Sequence, residues 1–497
     1  MNTTPPAAPT AAPRPAQREE ERGAKKFGCV LFDDEKEPGA AWAAVNGGEA
    51  KRIEGINELA TDTIWWSNMT YESFFRATEA WRNPWLRHDA YLVVKPKDVL
   101  QEWGYPPDLT GPDFTASFAS SVFASIMRMA YRLAKECEPR TRMDTLFVGT
   151  TLREDLRRLL PEAEYPKGEA ATIMKTGQAY AEFTRTTVRG IKGAKVFVLR
   201  RPRVSYAMEM LMTPIPKGPF EYLGRQDLRE LCAKNQSTDR VAWVRGVERP
   251  CLVEVAVQQM EADIAPVYGF GNSTDKDKRV PRSWVAHPEF LVMSAFSDLE
   301  VRSVWIGKEY TMLNKDWPEP VARFLADKYT EFSWSAGVIA ETLWRAAALG
   351  EERGRVNKNV PIDERAHTSW RGAWIKAADK TAMFLAARQL TEMGYSTVSY
   401  GLGWVSCLVL EDQVQDLIAD ALTLGLVPKL ADVPEGMFEQ NQQIPWGGDQ
   451  RAQMLAQLTM TKEKDMLWNL NKLPLYEPEQ RGPMIKKLLQ ARQSRKL

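Results

Sequence analysis

Residues 116–136 read ASFASSVFASIMRMAYRLAKE. Phe118, Val122, Ile126, Met129 and Leu133 recur at spacings of three and four, which is one apolar stripe of a helix. Arg128, Arg132 and Lys135 step by four and three and so share a different face. Such a helix can pack its apolar back into a core while its basic front lines a groove. The alternative is an ordinary solvated face.

This helix opens a basic block. From residue 125 to residue 235 the chain holds 21 Lys+Arg against 13 Asp+Glu, whereas the whole chain has 66 against 65 and the remainder 45 against 52. Positive charge gathered in one region is the usual footprint of a polyanion site. Within the block, EAATIMKTGQAYAEFTRTTVRGIKGAK from Glu169 predicts a second helix. Tyr180, Phe183 and Thr187 would face inward, with Arg185 and Arg189 one turn apart on the outside and Gly190 as a break. The following KVFVLRRPRVSY places Arg200, Arg201 and Arg203 around Pro202, on an expected loop. Guanidinium forks on such a loop suit phosphate oxygens and base faces. LREDLRRLLPEAEYPKGE adds Arg153, Arg157, Arg158 and Lys167, interleaved with acids.

The 497 residues, 44% apolar and 10% aromatic, can bury a large core in more than one domain. Five scattered cysteines without a CxxC pair fit reduced thiols. Only His88, His287 and His367 are present, too few for a His-rich metal site. No apolar run approaches the ~18 residues of a membrane span. Residues 1–26 read as a disordered Pro/Ala arm without a signal core. Toward the other end, residues 371–393 predict a helix stopped by Gly394, with Trp374, Ile375, Ala378, Ala382 and Leu385 inward. TVSYGLGWVSCLVL predicts two strands around Gly401 and Gly403, and EDQVQDLIADALTLGL another helix. The ending GPMIKKLLQARQSRKL is a basic tail with Lys486, Lys487, Arg492, Arg495 and Lys496; it could touch RNA, direct import or be a frayed terminus.

A series of short strings carries a resemblance. RMDTLFVGTTL from Arg142, KGEAATIMKTGQ, RTTVRGIK, RPRVSYAMEM with KGPFEYLGRQDLRELCAKNQS, APVYGFGNS from Ala265, MSAFSDLEVRSVWIG from Met293 and NKNVPIDERAHT from Asn357 occur in that order, after LVVKPKDVLQEW ending at Trp103. Together, over about residues 85–365, they resemble the nucleoproteins of influenza viruses and their relatives, the orthomyxovirus family. The resemblance implies a mainly α-helical, crescent-shaped fold of head and body with an exchanged tail loop. The corresponding divisions are an arm at 1–26, body at 27–129, head at 130–258, body again at 259–332, an oligomerisation loop at 333–358 and return segments with the tail at 359–497. It implies a groove that binds single-stranded RNA without sequence preference.

The RNA-binding candidates are Arg128, Arg132, Lys135, Arg157, Arg158, Lys175, Arg185, Arg189, Arg200, Arg201, Arg203 and Arg225; Ala130 and Glu136 stand where the family is basic. For self-association the resemblance pairs Lys358 with Asp298, beside Ser297, with Val338, Ile339, Leu343 and Trp344 as apolar anchors. It implies a non-enzymatic coat for genomic RNA, without cofactor or metal. Its partners would be RNA, further copies of itself, the viral polymerase and an import receptor, in virion, nucleus and cytoplasm.

Two other readings compete with this one. AFSDLEVR at Ala295 also resembles the palm motif of family A DNA polymerases, but Ala295 stands where a metal-binding carboxylate is required and no later His-Asp pair supplies the second. A viral shell protein would share the arm and the assembly but would form without RNA. GFGNST at Gly269 lacks the Gly-Lys-Ser/Thr ending of a phosphate loop, and no RRM, KH or zinc-knuckle signature is present.

Overall fold

A computed structural model describes residues 26–76, 86–87, 112–142, 146, 151–167, 169–170, 173, 183–184, 193–201, 206, 210, 213–235, 239–260, 284–312, 317–330, 334–349 and 369–428. The contacts divide the chain into two compact units. The first is Met1–Glu102, Pro107–Arg132 and Thr141–Thr151; the second is Trp103–Pro106, Leu133–Arg140 and Leu152–Leu497.

In the first unit, β1 (Lys26–Asp34), β2 (Glu37–Val45), β3 (Lys51–Ile53), β4 (Thr63–Ser67) and β5 (Leu86–Arg87) form one sheet in the order β3-β2-β1-β4-β5. A short helix, α1 (Tyr71–Arg76), lies between β4 and β5 in the sequence. β1 runs antiparallel to β2 and parallel to β4. Its run FGCVLF is buried throughout, as a central strand covered on both faces requires. One face meets a cluster of Val30, Phe32, Ala41, Ala43, Ile53, Trp65 and Leu86. Gly28 is needed here, because a Cβ would stand 2.3 Å from the Trp65 ring. The long helix α2 (Pro112–Cys137) makes hydrogen bonds to the β2–β3 side of the sheet. Ser120 Oγ lies 3.0 Å from the Trp42 carbonyl, Ser121 Oγ donates to Gly48 O at 2.8 Å, and Tyr131 meets Phe27 with ring centroids 5.2 Å apart. Asn46 adopts φ 54° at this turn and its Oδ1 accepts from the Phe27 N–H at 2.9 Å.

The second unit contains two antiparallel sheets. Its elements in chain order are α3 (Leu152–Arg157), β6 (Phe183–Thr184), β7 (Lys195–Arg200), β8 (Pro214–Leu223), α4 (Arg225–Lys234), α5 (Arg240–Arg245), β9 (Cys251–Met260), β10 (Trp284–Ala286), α6 (His287–Phe296), β11 (Ser297–Met312), α7 (Glu319–Thr330), α8 (Trp334–Leu349), α9 (Trp370–Glu392), β12 (Ser396–Gly401), β13 (Trp404–Val409), α10 (Val414–Thr423) and β14 (Val427–Pro428). The sheets run β10-β9-β11-β8 and β14-β7-β13-β12-β6. α9 packs on β8 and β10 of one, on β12 and β13 of the other, and on α6 and α8. Its buried residues, including Ala373, Trp374, Ala377, Lys380, Phe384, Ala387 and Leu390, surround the axis, as expected of a core helix. Ser369 caps its start by accepting from the Gly372 N–H at 3.0 Å. Gly394, at φ +99°, ends it, with the Tyr395 N–H returning to Leu390 O at 3.0 Å.

The expectation of a mainly helical fold is corrected by three sheets of five, four and five strands. Phe183 and Thr184, read as part of a helix, form a strand paired with Tyr400 and Ser399. Arg200 ends a strand instead of sitting on a loop: the alternation of KVFVLR buries Phe197 and Leu199, and Pro202 follows the last ladder position. Most of the expected tail loop, residues 334–349, is the helix α8. The expected boundary between 258 and 259 falls inside β9. The helices over 116–136 and 371–393, the hairpin around Gly401 and Gly403, and the helix after Glu411 lie where they are expected. The inward face expected of α9 holds for Trp374 and Ile375, but Ala378, Ala382 and Leu385 are only half-buried, because neighbours on several sides bury Ala377, Met383, Phe384, Ala386 and Ala387 instead. The arm before Lys26 and the basic tail lie outside the described residues.

Candidate nucleic-acid interface

The candidate cations separate by whether a carboxylate already holds them. On α2, Arg128 and Arg132 stand one turn apart, and neither makes an ion pair among the described residues. Arg128 is half-buried, with Nη1 3.4 Å from the Asn46 carbonyl; Arg132 is exposed. Burial, and then the like charge of Arg132, push the Arg128 guanidinium below its ordinary pKa. Two like charges held together, one partly desolvated, are an arrangement that an anion between them would relieve. Lys135 follows, half-buried, on the next turn.

Elsewhere the acids are in place. Arg200 Nη2 donates to Glu341 Oε2 at 2.8 Å, and the other oxygen of Glu341 lies 3.1 Å from Arg345 Nη2. Arg201 is 8% exposed and meets Asp379 Oδ1 through Nη2 at 2.9 Å and Nε at 3.1 Å. The Gly403 N–H donates to Asp379 Oδ2 at 2.6 Å. Burial pushes the Asp379 carboxyl up, against the pull of Arg201 and of the Gly403 N–H. Arg200 and Arg201 are therefore each held by a carboxylate, Arg200 at the end of β7 and Arg201 just after it, where open guanidiniums on a loop are expected: a charge that enters a core must bring its partner. Arg157 pairs with Glu154 at 3.3 Å, while the adjacent Arg158 is exposed and makes no ion pair among the described residues. Arg225, at the start of α4, donates to Glu300 Oε1 at 2.9 Å yet keeps 59% of its side chain exposed. Glu136 pairs with Arg323 at 2.5 Å.

Lys175, Arg185, Arg189, Arg203 and Lys358 lie outside the described residues. Ser297 and Asp298 open β11, the first half-buried and the second exposed. The four apolar anchors, Val338, Ile339, Leu343 and Trp344, are at most 1% exposed in α8, where Trp344 meets Tyr206 at 4.8 Å. In this fold they fill the core of their own chain, which corrects their reading as loop side chains offered to a neighbour. No local pattern in the sequence marks the acids Glu341 and Asp379, because they pair with arginines 141 and 178 residues away. Among the described residues no group of three or more His, Cys, Asp or Glu could hold a metal ion, and no helix is long and apolar enough to cross a membrane. Ala295 is exposed in the last turn of α6.

No protein-family model and no curated protein sequence matches the chain. Among solved structures it is similar to the orthorhombic crystal form of Phi29 DNA polymerase, at 11% identity and a TM-score of 0.38 over 80% of this chain and 82% of that one. The same polymerase with primer-template DNA and incoming nucleotide gives 11% identity and a TM-score of 0.35 over 79% of this chain and 82% of that one. Values this low do not amount to a shared fold.

Proposed function

We propose that this chain coats single-stranded RNA without sequence preference, as the nucleoprotein of a segmented negative-strand RNA virus. The observation that carries the RNA reading is the Arg128–Arg132 pair, two guanidiniums one turn apart with no carboxylate among the described residues. Phosphates are the anion that a polymer of any sequence offers at every step. The basic block that this helix opens, and the order of short strings between about residues 85 and 365, support the finer assignment. In that role the chain would meet the viral polymerase and move between cytoplasm, nucleus and virion. Self-association belongs to the proposal, but α8 is not its exchanged element, since its apolar side chains are already covered.

The test is a fluorescence-anisotropy titration of nuclease-stripped protein with unrelated single-stranded RNAs at several salt concentrations. Affinity should be indifferent to sequence and fall steeply with salt. Arg128→Ala/Arg132→Ala should weaken binding on every sequence alike and lower the salt slope by about 1–2, one or two phosphate contacts fewer. Absence of binding at low salt would remove the RNA reading and favour a shell that assembles without nucleic acid.

A further inference from the structure

Tyr222, near the end of β8, is the only aromatic among the exposed large hydrophobic side chains of the described residues, at 47%. Its ring is fixed from behind. Trp305 is its cross-strand partner, with centroids 5.3 Å apart and planes at 50°. Gly224 lies beside the ring edge, where a Cβ would stand 3.6 Å from Tyr222 Cε1. One side of a rigid ring therefore stays open to water.

The residues that follow supply charge. Arg225 and Arg229 are exposed and one turn apart at the start of α4, so they stand side by side. Arg229 makes no ion pair among the described residues. Arg225 and Arg240 share a single carboxylate oxygen of Glu300, at 2.9 and 3.7 Å. The acids of α4 are engaged locally: Asp227 Oδ2 accepts from the Gly224 N–H at 2.9 Å, and Glu230 accepts from Gln226 Nε2 at 3.3 Å. Strand alternation turns Glu221 to the opposite side of the sheet from Tyr222.

We propose that Tyr222 and the Arg225–Arg229 face form a base-stacking platform for single-stranded nucleic acid, with one base on the open ring and flanking phosphates on the two guanidiniums. Stacking on an aromatic tolerates any base, because every base has a π-face. This inference rests on the RNA reading above and adds to it a contact to bases, which the Arg128–Arg132 pair does not provide.

The test compares the full-length chain with Tyr222→Ala, Tyr222→Trp and Arg128→Ala/Arg132→Ala. Probes are oligoadenylate of about 24 nucleotides and an abasic strand of the same length and charge. Tyr222→Ala should weaken binding to oligoadenylate about tenfold, the loss typical of one stacked base, and leave the abasic strand unchanged. Tyr222→Trp, with the larger ring, should preserve the preference for the base-bearing strand. Unchanged binding of Tyr222→Ala to both strands, while the double arginine variant still loses affinity, would overturn the platform and leave the RNA reading standing. An equal loss on both strands would also overturn it, as a structural effect of the substitution. If wild type binds neither strand, both proposals fail.

Discussion

Asp379→Ala isolates what the buried acids do. The Asp379 side chain is 0% exposed and receives two nitrogens of Arg201, at 2.9 and 3.1 Å, and the Gly403 N–H at 2.6 Å. Deleting the carboxylate strands a guanidinium that is itself only 8% exposed. Breaking a buried ion pair from one side costs ~3–5 kcal/mol, and the orphaned amide adds ~1–3 kcal/mol. These terms overlap because a single vacated site strands both donors, so the expected loss is about 4 kcal/mol. The two-unit chain makes a single global midpoint a poor readout. Hydrogen exchange of the α9 amides is local to the site and should speed up about a thousandfold, at 1.4 kcal/mol per decade. Arg201→Met/Asp379→Leu removes both charges and should recover most of the protection, since an apolar pair of similar volume is often neutral in place of a buried ion pair. Exchange within about fivefold of wild type in Asp379→Ala would refute the reasoning, because it would mean that Arg201 finds water without the acid.

Four further outcomes rest on the same packing. Gly403→Ala should cost more than about 3 kcal/mol, read as lost α9 protection or soluble yield, because φ is +76° and the new Cβ would stand 2.0 Å from Tyr206 Oη. His287 is buried, with Nδ1 2.9 Å from the Tyr310 hydroxyl and Nε2 3.2 Å from the Val244 carbonyl, and burial holds its pKa below the ordinary value. Its stability contribution is therefore full above the unfolded pKa and lost as pH falls, so His287→Gln should flatten the fall in stability from about pH 7 to about pH 5 in urea unfolding followed by a probe placed on α6. Cys251 and Cys407 are pushed up to about 12 by burial, whereas Cys137 is only half-buried, though raised to about 11. Iodoacetamide on the folded protein at about pH 8 should therefore mark Cys137 before either, as peptide mass mapping would show. Replacing Ser369 with Ala should lower α9 stability by about 1 kcal/mol through the lost cap, measurable as faster exchange of the first-turn amides.

The elements legible in the sequence are those whose signal is local. The stripe from Val122 to Leu133, the stop at Gly394 and the Gly401–Gly403 turn each lie within a few residues of what they determine. The sheets were less legible. β1 is buried on both faces, so FGCVLF shows no alternation, and β11 loses its two-residue period at bulges after Val301 and Gly307. The expectation of a helical fold came from a resemblance of short strings, which speaks to order along the chain and not to hydrogen bonding across it.

The candidate site was legible only as a list of cations, because charge along a sequence is not charge in space. Arg200 and Arg201 both belong to the basic block, yet their carboxylates, on Glu341 and Asp379, both lie outside it. Part of the acidic surplus of the remaining chain is therefore spent on neutralising the block, and the local charge overstates the field available to a polyanion. What survives this subtraction among the described cations of the block includes Arg128 with Arg132, Arg158 and Arg229. If RNA is the ligand, these positions should dominate the salt dependence of binding, and Arg200→Ala or Arg201→Ala should act through stability alone. A change in salt slope for a folded Arg201→Lys variant would show that the Asp379 partner gives way to phosphate and would return the pair to the interface.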